Sequence, residues 1–317
     1  MESKATTMMH YQEFSAMSTS VLMAAEGTSE AVETGFQEAR AFVEAAEKRF
    51  TRFSEDSELS KLNRAAGSWF DASPDFYEVV TLALHLYDQT DGLFDPGVLD
   101  ALEEAGYDRT IEQLRQYGAP DAVQVLAKPR AMRFGSTRLD PLHKRIRLPD
   151  ELRIDLGGIA KGWIAGKAAM ILARWSKACA VDAGGDVFLH GLPQGENCWR
   201  VSLEDPCNPT RSLAMLKLPP GAVATSAITK RRWQKNGKEQ HHVIDPRTRQ
   251  PAQTTWQSVT AIAPTAPEAE VYAKALLIGG PREVSRISRL ESGIEFIAVD
   301  LNGKLWGSKH TREFIDV

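Results

Sequence analysis

Six titratable side chains in this sequence sit in surroundings that could put them to chemical use: Asp155, Lys161, Asp186, His242, Asp245 and Glu270, with hydroxyls nearby at Thr225 and Ser226. Asp155 and Lys161 belong to the stretch RIDLGGIAKGWIAGK, residues 153–167. Its alternation predicts a strand over Arg153–Leu156, its glycines a turn at Gly157–Gly158, and the remainder a helix from Ile159 to about Ser176. Such a turn lets backbone amides approach an anion at a helix N-terminus, and Lys161 in the first turn adds a full positive charge, so a phosphate group suits it. The plainer alternative is a tight connection followed by a solvated lysine. Neither familiar phosphate fingerprint is present. Gly162 to Gly166 followed by Lys167 and Ala168 is one residue short of a P-loop and lacks its hydroxyl, and no GxGxxG occurs.

His242 stands in HHVIDPRTRQP, residues 241–251, before an apolar pair and an Asp-Pro turn. Histidine is the usual general base near neutral pH, and Asp245 is placed to orient it. A structural histidine is the alternative, and His241 points the other way along an extended chain. The absence of GxSxG disfavours a hydrolase with a nucleophilic serine. Lys230, Arg231 and Arg232 form a short basic cluster that reads as a solvated turn rather than a site.

The elements that must position these groups read as follows. An opening strand covers Val21–Ala25, and a long helix follows over Ser29–Phe50. A short helix carrying Leu59 and Leu62 is capped by Ser54 or Asp56, with Asn63 a polar cap at most. Helices are predicted over Pro74–Thr90 and Ile111–Tyr117. Between the first of these and the second lies LFDPGVLDAL, where Asp95 is either a turn former or a ligand contact. Met132–Phe134 and Arg145–Leu148 read as paired strands. Ala178–Gly191 reads as a strand interrupted at Gly184–Gly185, which marks a bulge or a close approach. Strands are expected at Trp199–Leu203, Leu213–Leu218, Val223–Ser226 and Ser258–Ala263. Helices then cover Pro267–Ile278 and Arg282–Leu290, and a hairpin over Asn302-Gly303 joins Ile294–Val299 to Lys304–Trp306. Strands and long helices without strict alternation favour an α+β fold, as one domain or two intimate lobes.

With 317 residues, 43% hydrophobic and 25% charged, the chain can bury a sizeable core. A net charge of -4 with no run of five basic residues argues against a nucleic-acid or anionic-membrane surface. Three cysteines, Cys179, Cys198 and Cys207, show neither zinc spacing nor a disulfide framework, so a reducing compartment is the default. No secretory or lipoprotein signal and no transmembrane run is read in the sequence, and the expected location is the cytoplasm, with residues 1–13 a flexible N-terminus.

Taken together, the motifs resemble the ApbE family, the FAD:protein FMN transferases, from about Phe14 to Trp306. The likeness rests on AMST at 16–19, FTRFSEDSELSKLN at 50–63, GLFDP at 92–96 and IDLGGIAKG at 154–162. It continues with DAGGDV at 182–187, ATS at 224–226, HHVIDPRT at 241–248 and SVTAIAP at 258–264. The resemblance implies an α+β, T-fold-like domain over residues 14–317, with mostly antiparallel sheets flanked by helices and a flavin cleft between lobes. It also implies a Mg2+-dependent enzyme that cleaves FAD and transfers FMN to a threonine or serine hydroxyl of an acceptor protein, releasing AMP.

By matching position, FAD contacts fall on Met17, Phe53, Phe94, Asp95, Pro96, Asp155, Lys161 and Ile244. Phe53 replaces the family's usual tyrosine. His242 is the implied base, and the backbone carbonyl of Gly158 an implied metal contact. The family's metal-binding helix reads roughly Ala-Asp-x-x-Ala-Thr, whereas here it reads Ala269-Glu270-Val271-Tyr272-Ala273-Lys274. Both side-chain positions differ, and Glu270 and Lys274, four apart on a helix, can pair, so Mg2+ is expected to bind weakly or not at all, with Lys274 replacing the metal and supplying positive charge toward the pyrophosphate. The glycines expected after Thr-Ser and after Asp-Pro-Arg-Thr are Ala227 and Arg249, and a common aspartate of the central helix is Gly166. Three readings follow: a flavin transferase, an FAD-binding relative with lost or altered transfer, and a scaffold with no ligand.

Overall fold

One antiparallel meander carries the architecture. The computed structural model describes residues 8–119, 134–290 and 293–316. Its eight-stranded sheet contains β1 (Met8–Ala16), β2 (Thr19–Gly27), β3 (Cys179–Ala183), β4 (Asp186–His190), β5 (Gly221–Ala227), β6 (Trp256–Ala263), β7 (Glu295–Asp300) and β8 (Leu305–Gly307). They lie side by side in that order, and every neighbouring pair is antiparallel. The site is built from what is inserted between them.

Along β2, Val21, Met23 and Ala25 are buried on one face while Ser20 and Leu22 are exposed on the other, the period of two that a half-covered sheet demands, broken only at the small, buried Ala24. Near the centre, all eight residues of β6 are buried, because both of its faces are covered. One face packs on the helices α1 (Ser29–Phe50), α6 (Ala160–Leu172) and α7 (Ala266–Gly279). The other is closed by the hairpin Trp199–Asp205 and Asn208–Leu218, whose Leu203, Leu216 and Leu218 meet Val187, Val223, Ile262 and Ile297.

In α1 the buried residues Val32, Phe36, Ala39, Val43, Ala46 and Phe50 recur at helical spacing, so the helix lies on the core and its C-terminal end delivers Arg52 and Phe53 to the site. Smaller helices frame that corner: α2 (Glu58–Arg64), α3 (Pro74–Gln89), α4 (Leu99–Glu104) and α5 (Ile111–Tyr117). Ser57 caps α2, in place of the expected Ser54 or Asp56, and Thr110 with Gln113 forms a full capping box on α5. The last helix, α8 (Pro281–Leu290), follows α7 directly after Gly280.

Several expectations change. Residues 8–13 belong to β1 rather than to a flexible tail, because they pair along their length with β2; residues 1–7 lie outside the described residues. Gly184–Gly185 is the turn of a hairpin, with φ of 71° and 96°, not a bulge within one strand. Arg145–Arg147 pairs with Arg138–Asp140 and Phe70–Asp71; Phe134 sits in a 3-10 turn, and Met132 lies outside the described residues.

The most consequential change is at Arg153–Leu156, which is extended but joins no sheet. Its backbone groups are satisfied individually. Asn63 Nδ2 donates to the Ile154 carbonyl at 2.9 Å, Ile154 N donates to Asn63 Oδ1 at 2.8 Å, and Asp155 N donates to the Pro96 carbonyl at 2.8 Å. Asn63 is thus a backbone surrogate that holds the approach to the glycine turn. Asn63→Ala removes both bonds and leaves buried amide groups unpaired, so it should lower unfolding free energy by about 1–3 kcal/mol. Urea denaturation checks this, and an unchanged midpoint would contradict it.

Candidate functional site

The turn between β1 and β2 consists of two residues, Met17 and Ser18, both at φ 54°. Left-handed backbone at two successive residues other than glycine is costly, and such strain concentrates where a chain must present particular groups. Here it presents them to a pocket. The Met17 amide donates to Glu47 Oε1 of α1 at 2.6 Å, which ties the tip to the pocket wall. Phe53, Phe94, Asp95, Asp155, Gly158, Lys161, His242, Ile244 and Lys274 line the same pocket. Pro96 does not; it acts by accepting the Asp155 amide, while Asp95 caps the short turn that follows by accepting from Gly97 N at 2.7 Å.

One wall is a stack that the sequence did not announce. Arg52, only 6% exposed in its side chain, lies 4.3 Å from the Phe53 ring centroid and 4.7 Å from that of Tyr107, donates to the Tyr107 carbonyl at 2.6 Å, and approaches Asp155 at 3.6 Å. Phe53 remains 42% exposed, so one ring face is available to a flat ligand. Burial raises the pKa of the Tyr107 phenol, which stays neutral.

Beneath the glycine turn lies a cluster of charges. Lys161 donates to Asp186 Oδ2 and reaches Glu270 Oε1 at 3.3 Å, while Glu270 Oε2 accepts the Gly162 amide at 2.9 Å. The two carboxylate side chains are each 3% exposed. Burial works against a charged Lys161, but Asp186 and Glu270 outweigh it and its pKa is raised; burial, with Glu270 beside it, pushes Asp186 up to about 6. Lys161 is therefore neither solvated nor a bare ammonium awaiting phosphate.

Glu270 does not pair with Lys274, its expected helical partner, among the described ion pairs. Lys161 occupies that carboxylate, and Lys274 instead extends until its Nζ lies against Gly158, in the space a side chain there would fill. Burial lowers the Lys274 pKa, with Glu270 opposing.

His242 is half-buried, and its buried Nδ1 has no hydrogen-bond partner among the described residues. Burial, then the positive charges of Arg231 and Lys274, hold its pKa well below the usual range, so the imidazole is neutral. Asp245 does not orient it. That carboxylate takes the Arg247 guanidinium, at 2.9 and 2.8 Å, and the Arg247 amide at 2.9 Å, so it is committed within its own turn.

Arg231, at φ 50° in the basic cluster, faces the pocket rather than bulk solvent alone. It also lines a second, larger groove of about 840 Å3. Ser18, Gly157, Lys161, Arg231, His242 and Lys274 border both spaces and so mark where they meet. Thr225 and Ser226 line the groove, and Thr225 Oγ1 lies 2.8 Å from Thr260 Oγ1.

A Mg2+ ion does not fit the positions that the resemblance assigns to it. The Glu270 carboxylate is taken by an ammonium and an amide, a second ammonium lies against Gly158, and among the described residues no group of three or more His, Cys, Asp or Glu could hold a metal.

Fold and site together define a class, an α+β protein whose pocket offers an aromatic shelf, a cationic floor and a neutral histidine opening onto a second groove. The comparisons make that class a family. The family model described as "ApbE family" matches residues 16–298, and the chain belongs to that family. It is 28% identical to the FAD:protein FMN transferase of Klebsiella pneumoniae (strain 342), over 93% of this chain and 85% of that one. With the FAD:protein FMN transferase of Treponema pallidum (strain Nichols) it shares 29% identity over 77% and 71% of the two chains. The fold matches the crystal structure of the ApbE protein from Thermotoga maritima MSB8 with a TM-score of 0.84 at 24% identity, covering 98% of this chain and 100% of that one. The flavin transferase ApbE from Vibrio cholerae gives 0.79 at 22% identity, with coverage of 98% and 100%.

The two lysines should behave oppositely when replaced. Lys161→Met strands two buried carboxylates and should cost about 3 kcal/mol or more of stability, whereas Lys274→Met removes a half-buried ammonium without an ion pair among the described residues and should cost little or add stability. Thermal unfolding of both variants tests this, and equal losses would contradict the assignment of Lys161 as the structural ammonium.

Proposed function

We propose that this protein is a flavin transferase: it binds FAD in the pocket, cleaves its pyrophosphate, and passes FMN to a threonine or serine hydroxyl of an acceptor protein, with AMP as the second product. The observation that carries this reading is the meeting of the two spaces at His242. A bound dinucleotide in the pocket and a polypeptide segment in the groove would confront each other at a neutral imidazole.

In this mechanism the exposed face of Phe53, backed by Arg52 and Tyr107, stacks on a flat ring of FAD, and Met17, held on its strained turn, closes the opposite edge. Asp155, fixed through Pro96 and Asn63, contacts the ligand from the extended segment. Ile244 supplies apolar surface. The acceptor oxygen attacks the phosphorus on the FMN side, and its proton passes to His242, whose depressed pKa leaves the imidazole free to accept it. The P–O bond to the AMP phosphate breaks and AMP leaves with the bridging oxygen and the electron pair. Mg2+ takes no step here, because its position is filled.

The replaced metal position also favours a second reading, an FAD-binding relative without transfer. The same experiment separates the two. FAD is titrated onto the protein by fluorescence, and AMP release is followed by chromatography in the presence of threonine- and serine-containing peptides. Transfer predicts binding together with AMP release and a flavin phosphoester on the peptide; binding alone selects the second reading. His242→Asn should cut AMP release by about 10²- to 10⁴-fold with FAD affinity retained. Undiminished release in that variant would return His242 to a structural role.

A further inference from the structure

Two cations that border both pocket and groove, Arg231 and Lys274, have no ion pair among the described residues, whereas Lys161, Lys230 and Arg232 beside them do. The Lys161 ammonium is held by Asp186 and Glu270, and Lys274 feels the same two carboxylates without forming an ion pair with either among the described residues. Lys230 meets Glu204 at 3.0 Å, and Arg232 meets Glu239 at 2.5 Å. Between those two, Arg231 turns the other way, into the wall shared by both spaces, on a left-handed backbone that side chains other than glycine rarely adopt. Lys274, across the junction, is driven into the protein against Gly158. His242 feels both, since Arg231 and Lys274 are the two foremost charges acting on it after burial.

A half-buried ammonium without an ion pair among the described residues costs free energy that a bound anion would recover. The pyrophosphate of a dinucleotide is doubly negative, and one lysine with one arginine matches that charge without any ion. We infer that Lys274 and Arg231 together form a fixed dication that binds the FAD pyrophosphate and replaces a divalent metal, so that this protein handles FAD without Mg2+. The inference rests on the flavin reading of the pocket but not on transfer itself.

The geometry explains why two residues are needed. Lysine offers a compact point charge, suited to the space against Gly158, while a guanidinium can bridge two phosphate oxygens with parallel N–H donors. Neither can move between phosphate oxygens as a solvated ion does. Their placement is instead preorganised by α7 and by the strained Arg231 backbone.

The test is calorimetric titration of FAD, and separately of riboflavin, onto full-length protein in EDTA and then with excess Mg2+. Unaltered protein should bind FAD equally well in both buffers, within about twofold, and Mg2+ titrated alone should give no binding heat. Lys274→Met and Arg231→Met, each shown folded by a cooperative thermal unfolding transition, should each weaken FAD binding by at least about tenfold while leaving riboflavin binding unchanged. A tenfold gain in FAD affinity on adding Mg2+, or full FAD affinity in either variant, would overturn the inference. Loss of AMP release with these binding results intact would instead count against transfer alone, so the two failures are distinguishable.

Discussion

The buried ion cluster of Lys161, Asp186 and Glu270 is the constraint from which the site follows. It joins three elements distant in sequence: the first turn of α6, the start of β4 and the middle of α7. Burying these charges is expensive unless each is paired, and here an ammonium bridges both carboxylates while a backbone amide takes a remaining oxygen. Once Glu270 is committed to that arrangement it forms no ion pair with Lys274, one turn further along the same helix, among the described residues, and only acts on it through space. Lys274 is then left to face the glycine turn. The absence of a side chain at Gly158 is what allows its ammonium to lie there.

That chain of consequences links a structural interaction to ligand chemistry. Lys161 already bridges Asp186 and Glu270 and Lys274 lies beside them, so a divalent ion would meet two ammonium groups where it needs free carboxylate oxygens. The cations without an ion pair among the described residues, Lys274 and Arg231, lie at the mouth between pocket and groove. An anion that spans this mouth would sit beside a neutral His242, and an incoming hydroxyl would reach it from the groove. The flat part of the ligand would rest on a shelf stiffened by the Arg52 guanidinium between Phe53 and Tyr107.

The sequence was most legible where local rules decide structure. The limits of α1 and the existence of α3, α5, α7 and the closing hairpin follow from apolar spacing and from turn residues that have specific backbone preferences. The family was legible because several short motifs occur in a fixed order. What local pattern could not reveal was decided by partners far away in sequence. Arg153–Leu156 alternates like a strand, but Asn63, some ninety residues earlier, satisfies its backbone before any neighbouring strand can. Glu270 and Lys274 have ideal spacing for a pair, yet Lys161 wins the carboxylate. Arg231 read as part of a solvated turn because side-chain direction there depends on a left-handed backbone that the basic residues around it give no sign of. Arg52 and Tyr107 lay inside or beside recognised motifs but met only when α1 and the segment after α4 came together.

The central claim is that FAD lies in this pocket with its pyrophosphate between Lys274 and Arg231, beside His242. A crystal structure of the protein grown with FAD in EDTA tests that claim most directly. The account predicts a flat ring on Phe53 and phosphate oxygens within hydrogen-bond distance of the Lys274 Nζ and the Arg231 guanidinium, with the Lys161 ion pairs intact. FAD found with its pyrophosphate elsewhere, or Lys161 drawn out of its carboxylate cluster to meet the phosphates, would contradict it.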